Sequence, residues 1–276
     1  MPNESRTDVL VSGASHAGIA FALAVATAEG AGLDVVLVDP GSRAPGLDVR
    51  TFAISAASRN LLEAIGVWAG MEAEPVVEIE ITDPKSGSAL REPMLKYDNR
   101  LRDGSAAMSI VEADVLRAAL ERRLADVPNI RRINGERVEA VEPGGGLVRL
   151  SSGLEIPARL VAVAEGRRSE TREAAGIRSV GWGYDQASIV TIIGHERPHG
   201  GKALQHFFAG GPFAVLPLTG GHRSGIVWTE AAKEADRLFA LDDQAFIEAV
   251  SERLGASLGA VRFAGPRQMH SMNITV

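Results

Sequence analysis

Residues 8–12 (DVLVS) are almost wholly apolar, the pattern of a strand buried on both faces of a parallel sheet. Residues 16–30 (HAGIAFALAVATAEG) are rich in Ala and Leu, the best helix formers, and predict a helix ending at Gly30. Residues 34–39 (DVVLVD) form a second β-branched run that closes on Asp39. Strand, helix and strand within about 30 residues make one βαβ unit. A third strand of the same kind is predicted at residues 160–164 (LVAVA), followed by a Gly and a charged helix start. Between them, residues 110–124 (IVEADVLRAALERRL) place apolar side chains at helical spacing and predict an amphipathic helix.

The pattern changes near residue 180. Residues 187–193, 203–208, 213–218 and 224–229 are short apolar runs separated by Gly and Pro clusters, which predicts an antiparallel meander. Helical segments follow around 231–240 and 242–255. The stretch 75–103 carries Pro and Gly, lacks helical period, and is grouped with the second sheet. The first half therefore reads as α/β and the second as α+β.

Composition narrows the class. A chain of 276 residues with 45% hydrophobic and 23% charged content is that of a soluble globular protein with core enough for one large domain or two. A net charge of −6 argues against nucleic acid as a partner, because phosphate binding needs a basic face. The absence of Cys removes disulfides, thiolate catalysis and Cys-ligated metals, and fits a cytoplasmic protein. The start MPNESRTD is polar and unlike a signal peptide, and no apolar run approaches the roughly 20 residues that span a bilayer. Peripheral contact with the inner membrane face and a homo-oligomer both stay open.

The candidate chemistry begins at residues 9–18, VLVSGASHAG. A dinucleotide fingerprint G-x-G-x-x-G would place Gly at 13, 15 and 18, and position 15 is Ser. Gly13 keeps the turn and Gly18 the close helix packing, while the helix start still offers N–H groups to an anion. Ser15 stands where a phosphate comes closest, so it either crowds the phosphate or donates to it; crowding is favoured, since backbone N–H groups already serve the anion. Asp39 lies about twenty residues beyond Gly18, the offset at which an acid meets ribose hydroxyls. The alternative is a small-residue β–α turn with no ligand. Two other features carry less. His195-Glu-Arg-Pro-His199 spaces two His as zinc ligands, but Pro198 prevents a shared helical face, so no metal is expected. Ser residues near His lack the G-x-S-x-G elbow of a hydrolase.

Seven segments resemble a known family when taken together. They are DVRTFAIS (48–55), LLEAIGVW (61–68), VEADVLRAAL (111–120), VAEGRRSETREAAGI (163–177), GYDQ (183–186), HERPHGG (195–201) and GPFAVLPL (211–218). In this order, over essentially the whole chain, they look like the ubiquinone-biosynthesis hydroxylases, which are single-component FAD-dependent aromatic hydroxylases. The resemblance implies a Rossmann-like α/β FAD-binding domain of residues 1–74 and 104–178. Interleaved with it would be an α+β substrate domain, 75–103 and 179–276, built on an antiparallel sheet. It implies FAD as cofactor, NAD(P)H as transient reductant, O₂ as co-substrate, and a small aromatic or prenylated phenol, ubiquinone-precursor-like, as the molecule hydroxylated. Gly13, Ser15, Gly18, Asp39, Arg50, Glu165 and Gly166 would bind FAD, with Phe213 and Pro217 lining the flavin–substrate cleft. No protein acid–base residue is expected.

The chain departs from the family's pattern in three places. Ser15 is the first. Glu165 is the second: it replaces the Asp of an Asp-Gly motif and carries its carboxylate one C–C bond, roughly 1.5 Å, further out. The third is an absence. The family has a Gly-Asp dipeptide in a later strand, followed by a helix that reaches the flavin ring. This sequence contains no Gly-Asp, and after VRFAGPR (261–267) it reads QMHSMNITV. Relative to the resembling pattern the chain is carboxy-terminally truncated. Two rival readings follow: a non-catalytic remnant or flavin- or partner-binding module of the same fold, and a reductase or halogenase on the same scaffold.

Overall fold

The computed structural model describes residues 6–28, 30, 32–41, 48–83, 93–142, 144 and 146–276. The chain opens with β1 (Thr7–Ser12), α1 (His16–Ala26), β2 (Val35–Asp39), β3 (Thr51–Ser55), α2 (Ala56–Ala64), β4 (Glu74–Pro75), β5 (Glu78–Thr82) and β6 (Leu95–Asp98). It continues through β7 (Met108–Glu112), α3 (Ala113–Ala125), β8 (Ile130–Asn134), β9 (Val138–Val141), β10 (Leu147–Leu150), β11 (Glu155–Val163) and α4 (Glu170–Ala174). The remainder is β12 (Gly181–His195), β13 (Lys202–Phe208), β14 (Gly211–Leu218), β15 (Arg223–Ala231), α5 (Ala232–Phe239), α6 (Asp243–Leu254), β16 (Val261–Phe263) and β17 (Gln268–Thr275).

Among the described residues these strands form three sheets. The first has the order β8-β2-β1-β11-β10-β9; its first four strands run parallel, and β10 and β9 are antiparallel additions. β1 carries the apolar run Val9–Val11 and β2 the run Val35–Val38 because both faces are covered. Val9, Val11 and Leu37 pack under Ile19 and Leu23 of α1 and Leu116 and Leu120 of α3, while Leu10, Val36 and Val38 meet Val148, Leu150 and Ile156. The second sheet runs β16-β12-β15-β14-β13-β5-β6, with β17 also paired to β12. β5 and β6 come from the stretch without helical period. One face of this sheet buries Phe213, Val215, Ile226 and Trp228 against Phe246 and Val250 of α6; the other sets Val190, Ile192, Ala203 and Leu218 against Val49, Val76 and Ile110. A small third sheet, β3-β7-β4, supplies Ile110 to that contact.

Two elements differ from the sequence expectation. Residues 110–112 end strand β7 rather than begin a helix, because Ile110 and Val111 pair with Ala53 and Phe52 of β3. α1 stops at Ala26 and not at Gly30, because both the N–H and the hydroxyl of Thr27 bond to the Leu23 carbonyl, at 2.9 and 2.7 Å. That double bond to one carbonyl closes the last turn.

One edge of the first sheet stands apart. β11 pairs with β1 from Ala158 to Val163, but on its other side β10 reaches only Glu155 to Pro157. Among the described residues the outer edge of Leu160, Val161, Ala162 and Val163 therefore has no strand partner, and Leu160 and Val163 are exposed. The opposite edge strand, β8 (IRRIN), carries two Arg, as edge strands commonly carry charge to prevent pairing. The Leu-Val-Ala-Val edge carries none. No helix among the described residues is long and apolar enough to cross a membrane.

Candidate functional site

The parallel strands β1, β2 and β11 end level with one another, Ser12 lying beside Val38 and Val163. Gly13 follows with φ +102°, a conformation that L side chains avoid, and a Cβ there would lie 2.6 Å from the Ala164 carbonyl oxygen. A Cβ on Gly18 would lie 1.8 Å from the Gly13 carbonyl oxygen. Both glycines are thus demanded by the protein's own packing. Ser15 is different. It is the N-cap of α1 with φ −79° and ψ −177°, which any residue adopts. Its exposed side chain makes no capping hydrogen bond, so the first-turn N–H groups of α1 receive none from the N-cap side chain, and no acidic residue competes for them. The cradle fits an anion such as a pyrophosphate. Ser15→Gly is therefore expected to tighten FAD binding by roughly 2- to 12-fold, the worth of about one neutral hydrogen bond or its steric equivalent. Flavin-fluorescence titration measures it, and weaker binding would recast the Ser15 hydroxyl as a ligand.

Asp39 ends β2 and is buried. Arg132 of β8 donates to its Oδ2 at 2.8 Å and also pairs with Glu121 of α3 at 2.7 Å. The Gly41 N–H reaches Oδ1 at 3.3 Å. Arg132 thus neutralises and orients the carboxylate that would meet a ribose, a partnership with no signal in the sequence.

Arg50 closes a two-point pair with Asp48, its Nε donating at 2.7 Å. The pair raises the Arg50 pKa and lowers that of Asp48. The Phe52 ring links this pair to the helix start: the Arg50 guanidinium lies 5.8 Å above it and the His16 ring stands edge-on to it at 5.0 Å. His16, in turn, meets the Ala113 carbonyl at 3.0 Å. Arg50 therefore stands in the cluster at the α1 start, with part of its charge already answered by Asp48.

Glu165 follows the end of β11 with its carboxylate turned into the protein. Ser12 donates to Oε1 at 2.5 Å, Thr171 to the same oxygen at 2.6 Å, and Ser169 to Oε2 at 2.6 Å. Burial pushes its pKa up, but these hydroxyls outweigh it and the net displacement is downward. Gly166 has φ +83° with open space where a Cβ would stand, so conformation alone, not crowding, favours Gly there.

Phe213 and Pro217, expected to line a flavin–substrate cleft, are both buried. Phe213 is fully buried, with its ring 5.5 Å from that of Trp228, and Val215 and Pro217 follow it on the same strand face. Strand alternation is the reason. Ala214, Leu216 and Leu218 point the other way, towards the first half of the chain, where Leu218 meets Val49 and Ile110.

His195 and His199 have rings 5.9 Å apart, and both use their ring nitrogens within the protein. His195 Nδ1 lies 2.7 Å from the Arg197 carbonyl and so must donate, while Nε2 takes the Ser224 hydroxyl at 3.0 Å. His199 donates from Nε2 to the Leu218 carbonyl and accepts the Gly201 N–H at Nδ1. Burial lowers the His195 pKa. In the unfolded chain it is about 6.5. A depressed folded value makes its contribution to stability complete above about 6.5 and lost as pH falls from there through the folded value. The denaturant midpoint is expected to be lower at pH 5.5 than at pH 7.5, and His195→Gln should flatten that difference. An unchanged pH dependence in the variant would remove His195 from the explanation.

Residues 6–274 match the family described as FAD binding domain. The chain belongs to that family. It is 37% identical over 275 residues to the ubiquinone hydroxylase UbiL of Rhodospirillum rubrum, covering 97% of this chain and 62% of that protein. The 3-demethoxyubiquinol 3-hydroxylase of Escherichia coli is 30% identical over 242 residues, covering 82% of this chain and 58% of that one. The chain thus spans about three-fifths of the length of these relatives. Among solved structures, Pseudomonas aeruginosa PqsL in complex with 2-aminobenzoylacetate superposes with a TM-score of 0.75 at 20% identity, covering 95% of this chain and 73% of that one. The p-nitrophenol 4-monooxygenase PnpA of Pseudomonas putida gives 0.71 at 16% identity, covering 98% and 68%. At such identities the likeness establishes the fold, a FAD-dependent monooxygenase fold.

Proposed function

We propose that the chain is the larger part of an FAD-dependent monooxygenase that hydroxylates a phenol with NAD(P)H and O₂. The observation that carries this reading is the turn at residues 13–18. At each of its two remaining glycines a Cβ would stand within 3 Å of backbone atoms, and the turn presents the uncapped start of α1 beside the end of β2, where Asp39 lies. The backbone of that turn would hold the FAD pyrophosphate, Asp39 the ribose, and Arg50 a share of the phosphate charge, with Ser15 and Gly166 bordering the site. Bound FAD would supply the redox chemistry; the protein's part is to bind, orient and exclude water. The nucleotide domain would comprise residues 1–74 and 104–178 and the substrate domain 75–103 and 179–276. The names of the relatives support a ubiquinone-precursor-like aromatic substrate, small or prenylated. One fold neighbour, 2-methyl-3-hydroxypyridine-5-carboxylic acid oxygenase, is described in a tetrameric form, which supports testing for a homo-oligomer. Peripheral membrane contact belongs to the same reading through the lipid character of a prenylated phenol.

A second reading is favoured by one observation, the unpaired apolar edge of β11: a flavin- or partner-binding module that does not turn over. Both are tested by incubating the purified polypeptide with FAD and recording its visible spectrum. Oxidation of NADH and NADPH is then followed with a panel of phenols. Retained flavin with phenol-dependent oxidation and hydroxylated product, in the chain or in its fusion to the unmatched part of a relative, supports the monooxygenase; retained flavin without product in both supports a flavin-binding module; no retained flavin in either removes both of these.

A further inference from the structure

We propose that Glu165 is a positioning residue that acts on FAD through the dinucleotide turn and does not touch the cofactor. The inference rests on the FAD site described above and concerns how this chain builds it. Glu165 and Ala164 form the wall against which Gly13 is pressed: a Cβ at Gly13 would stand 2.6 Å from Ala164 O and 3.1 Å from Glu165 N. Two bonds tie that wall to the end of β1. The Ala164 N–H donates to the Ser12 carbonyl at 2.7 Å, and the Ser12 hydroxyl donates to the Glu165 carboxylate. The same carboxylate also takes the Thr171 hydroxyl on the oxygen that Ser12 meets and Ser169 on the other, and Ser169 is also the N-cap of α4, accepting from Arg172 N at 3.0 Å. Ser12, Ser169 and Thr171 are all buried. One carboxylate therefore clamps the residue before the turn to the segment after β11.

The length of the side chain makes the clamp. Glu165 must reach both Ser12 at the end of β1 and Ser169 and Thr171 in the segment after β11. An Asp at the same backbone position would hold its carboxylate roughly 1.5 Å shorter, one C–C bond, and could not serve both. With the known donors to both oxygens all coming from the protein, the group is turned inward and fixes where the Gly13 peptide stands. The position of that peptide decides whether the α1 N–H groups meet a phosphate at hydrogen-bond distance, and N–H···O bonds weaken steeply outside about 2.7–3.2 Å.

The test is a double-mutant cycle of Ser12→Ala and Glu165→Gln, with Glu165→Asp beside it, read in two ways. Without FAD, thermal melting follows the clamp itself. With FAD, Kd is measured well below the melting temperature, together with the absorption spectrum of the bound flavin at saturation. Ser12→Ala and Glu165→Gln should each lower the melting temperature and weaken FAD about tenfold, a charge-assisted hydrogen bond at the lower end of its range. The double variant should be no weaker than Glu165→Gln alone, and the flavin spectrum should not move. Glu165→Asp should also weaken binding, since its charge is kept and its reach is lost. Three results would overturn the proposal. One is additive losses in the cycle, and another is a displaced flavin spectrum in Glu165→Gln or tighter binding in Glu165→Asp, either of which indicates direct contact. The third is a lowered melting temperature with unchanged Kd, which confines Glu165 to folding. A wild-type chain that binds no FAD would remove the FAD site and the transmission to it, while the cycle in melting temperature would still decide whether the clamp exists.

Discussion

Gly13→Val is expected to abolish saturable FAD binding, weakening it by more than about 100-fold, the worth of two charge-assisted hydrogen bonds. The backbone at Gly13 has φ +102°, and a β-branched residue held in such a region costs about 1–3 kcal/mol. Relief would require the chain to rotate out of that conformation, which turns the peptide away from the α1 start. If it does not rotate, the new Cβ meets Ala164 O at 2.6 Å and Ala164 C at 2.9 Å, so the backbone of the turn must shift. Either course removes the phosphate cradle. Gly153→Ala is the control, because Gly153, in the turn between β10 and β11, shares the positive φ but has open space around it. It should cost only conformational strain and leave FAD affinity within about threefold, an amount below 1 kcal/mol. Far-ultraviolet circular dichroism confirms that both variants are folded, and flavin fluorescence reports affinity. Equal affinity in wild type and Gly13→Val would mean that VLVSGASHAG is not the site.

What the sequence made legible follows from the range of the interactions involved. β1 and β2 are readable because burial on both faces writes an unbroken apolar run into the chain itself. Gly18 is readable because the atom that excludes a side chain there, the Gly13 carbonyl oxygen, belongs to the turn itself, whereas Gly13 is readable only from its place in the motif, the excluding atoms being those of Ala164 and Glu165. Ile110 and Val111 are not readable locally: two apolar residues before a helix suit its first turn as well as a strand, and only pairing with β3 decides. The end of α1 turned on a Thr hydroxyl competing for a carbonyl, a weaker signal than the Gly that follows it.

The candidate site shows the same division more sharply. Glu165 was visible as a departure from an Asp-Gly motif, but its meaning lies in Ser12, 153 residues away. Asp39 was visible by its offset, while Arg132, which holds it, is 93 residues distant and sits in an edge strand where Arg is ordinary. Phe213 illustrates the opposite limit. Alternation announces that β14 has two faces, yet nothing in the strand says which face meets α6 and which meets the first half of the chain.

The 276-residue polypeptide on its own is expected to bind FAD weakly, to oxidise NAD(P)H near background, and to be poorly soluble. The physical cause is apolar surface that none of the described residues covers. Leu160 and Val163 are exposed on the unpaired edge of β11, the strand that leads into Glu165. Ile177, Val180, Trp182 and Tyr184 are exposed where β12 begins, and Val276 pairs with Val180 through two 2.8 Å backbone bonds at the same place. An uncharged apolar edge beside exposed aromatics favours association with other chains. Water that reaches a bound flavin would release reducing equivalents as hydrogen peroxide rather than as hydroxylated phenol. Each charge-assisted contact to the cofactor is worth roughly 10- to 150-fold in affinity. The comparison that decides is a fusion of this chain to the part of the Rhodospirillum rubrum relative that lies outside the matched region, since the match covers 62% of that protein. In the fusion, FAD should tighten, NAD(P)H oxidation should become phenol-dependent, and amides of residues 159–163 should gain protection from hydrogen exchange together. The joint change matters, because a tag that only improves solubility would raise yield without protecting that edge. Tight stoichiometric FAD and coupled hydroxylation by the 276 residues alone would show that the uncovered edge of β11 has no bearing on the cofactor site.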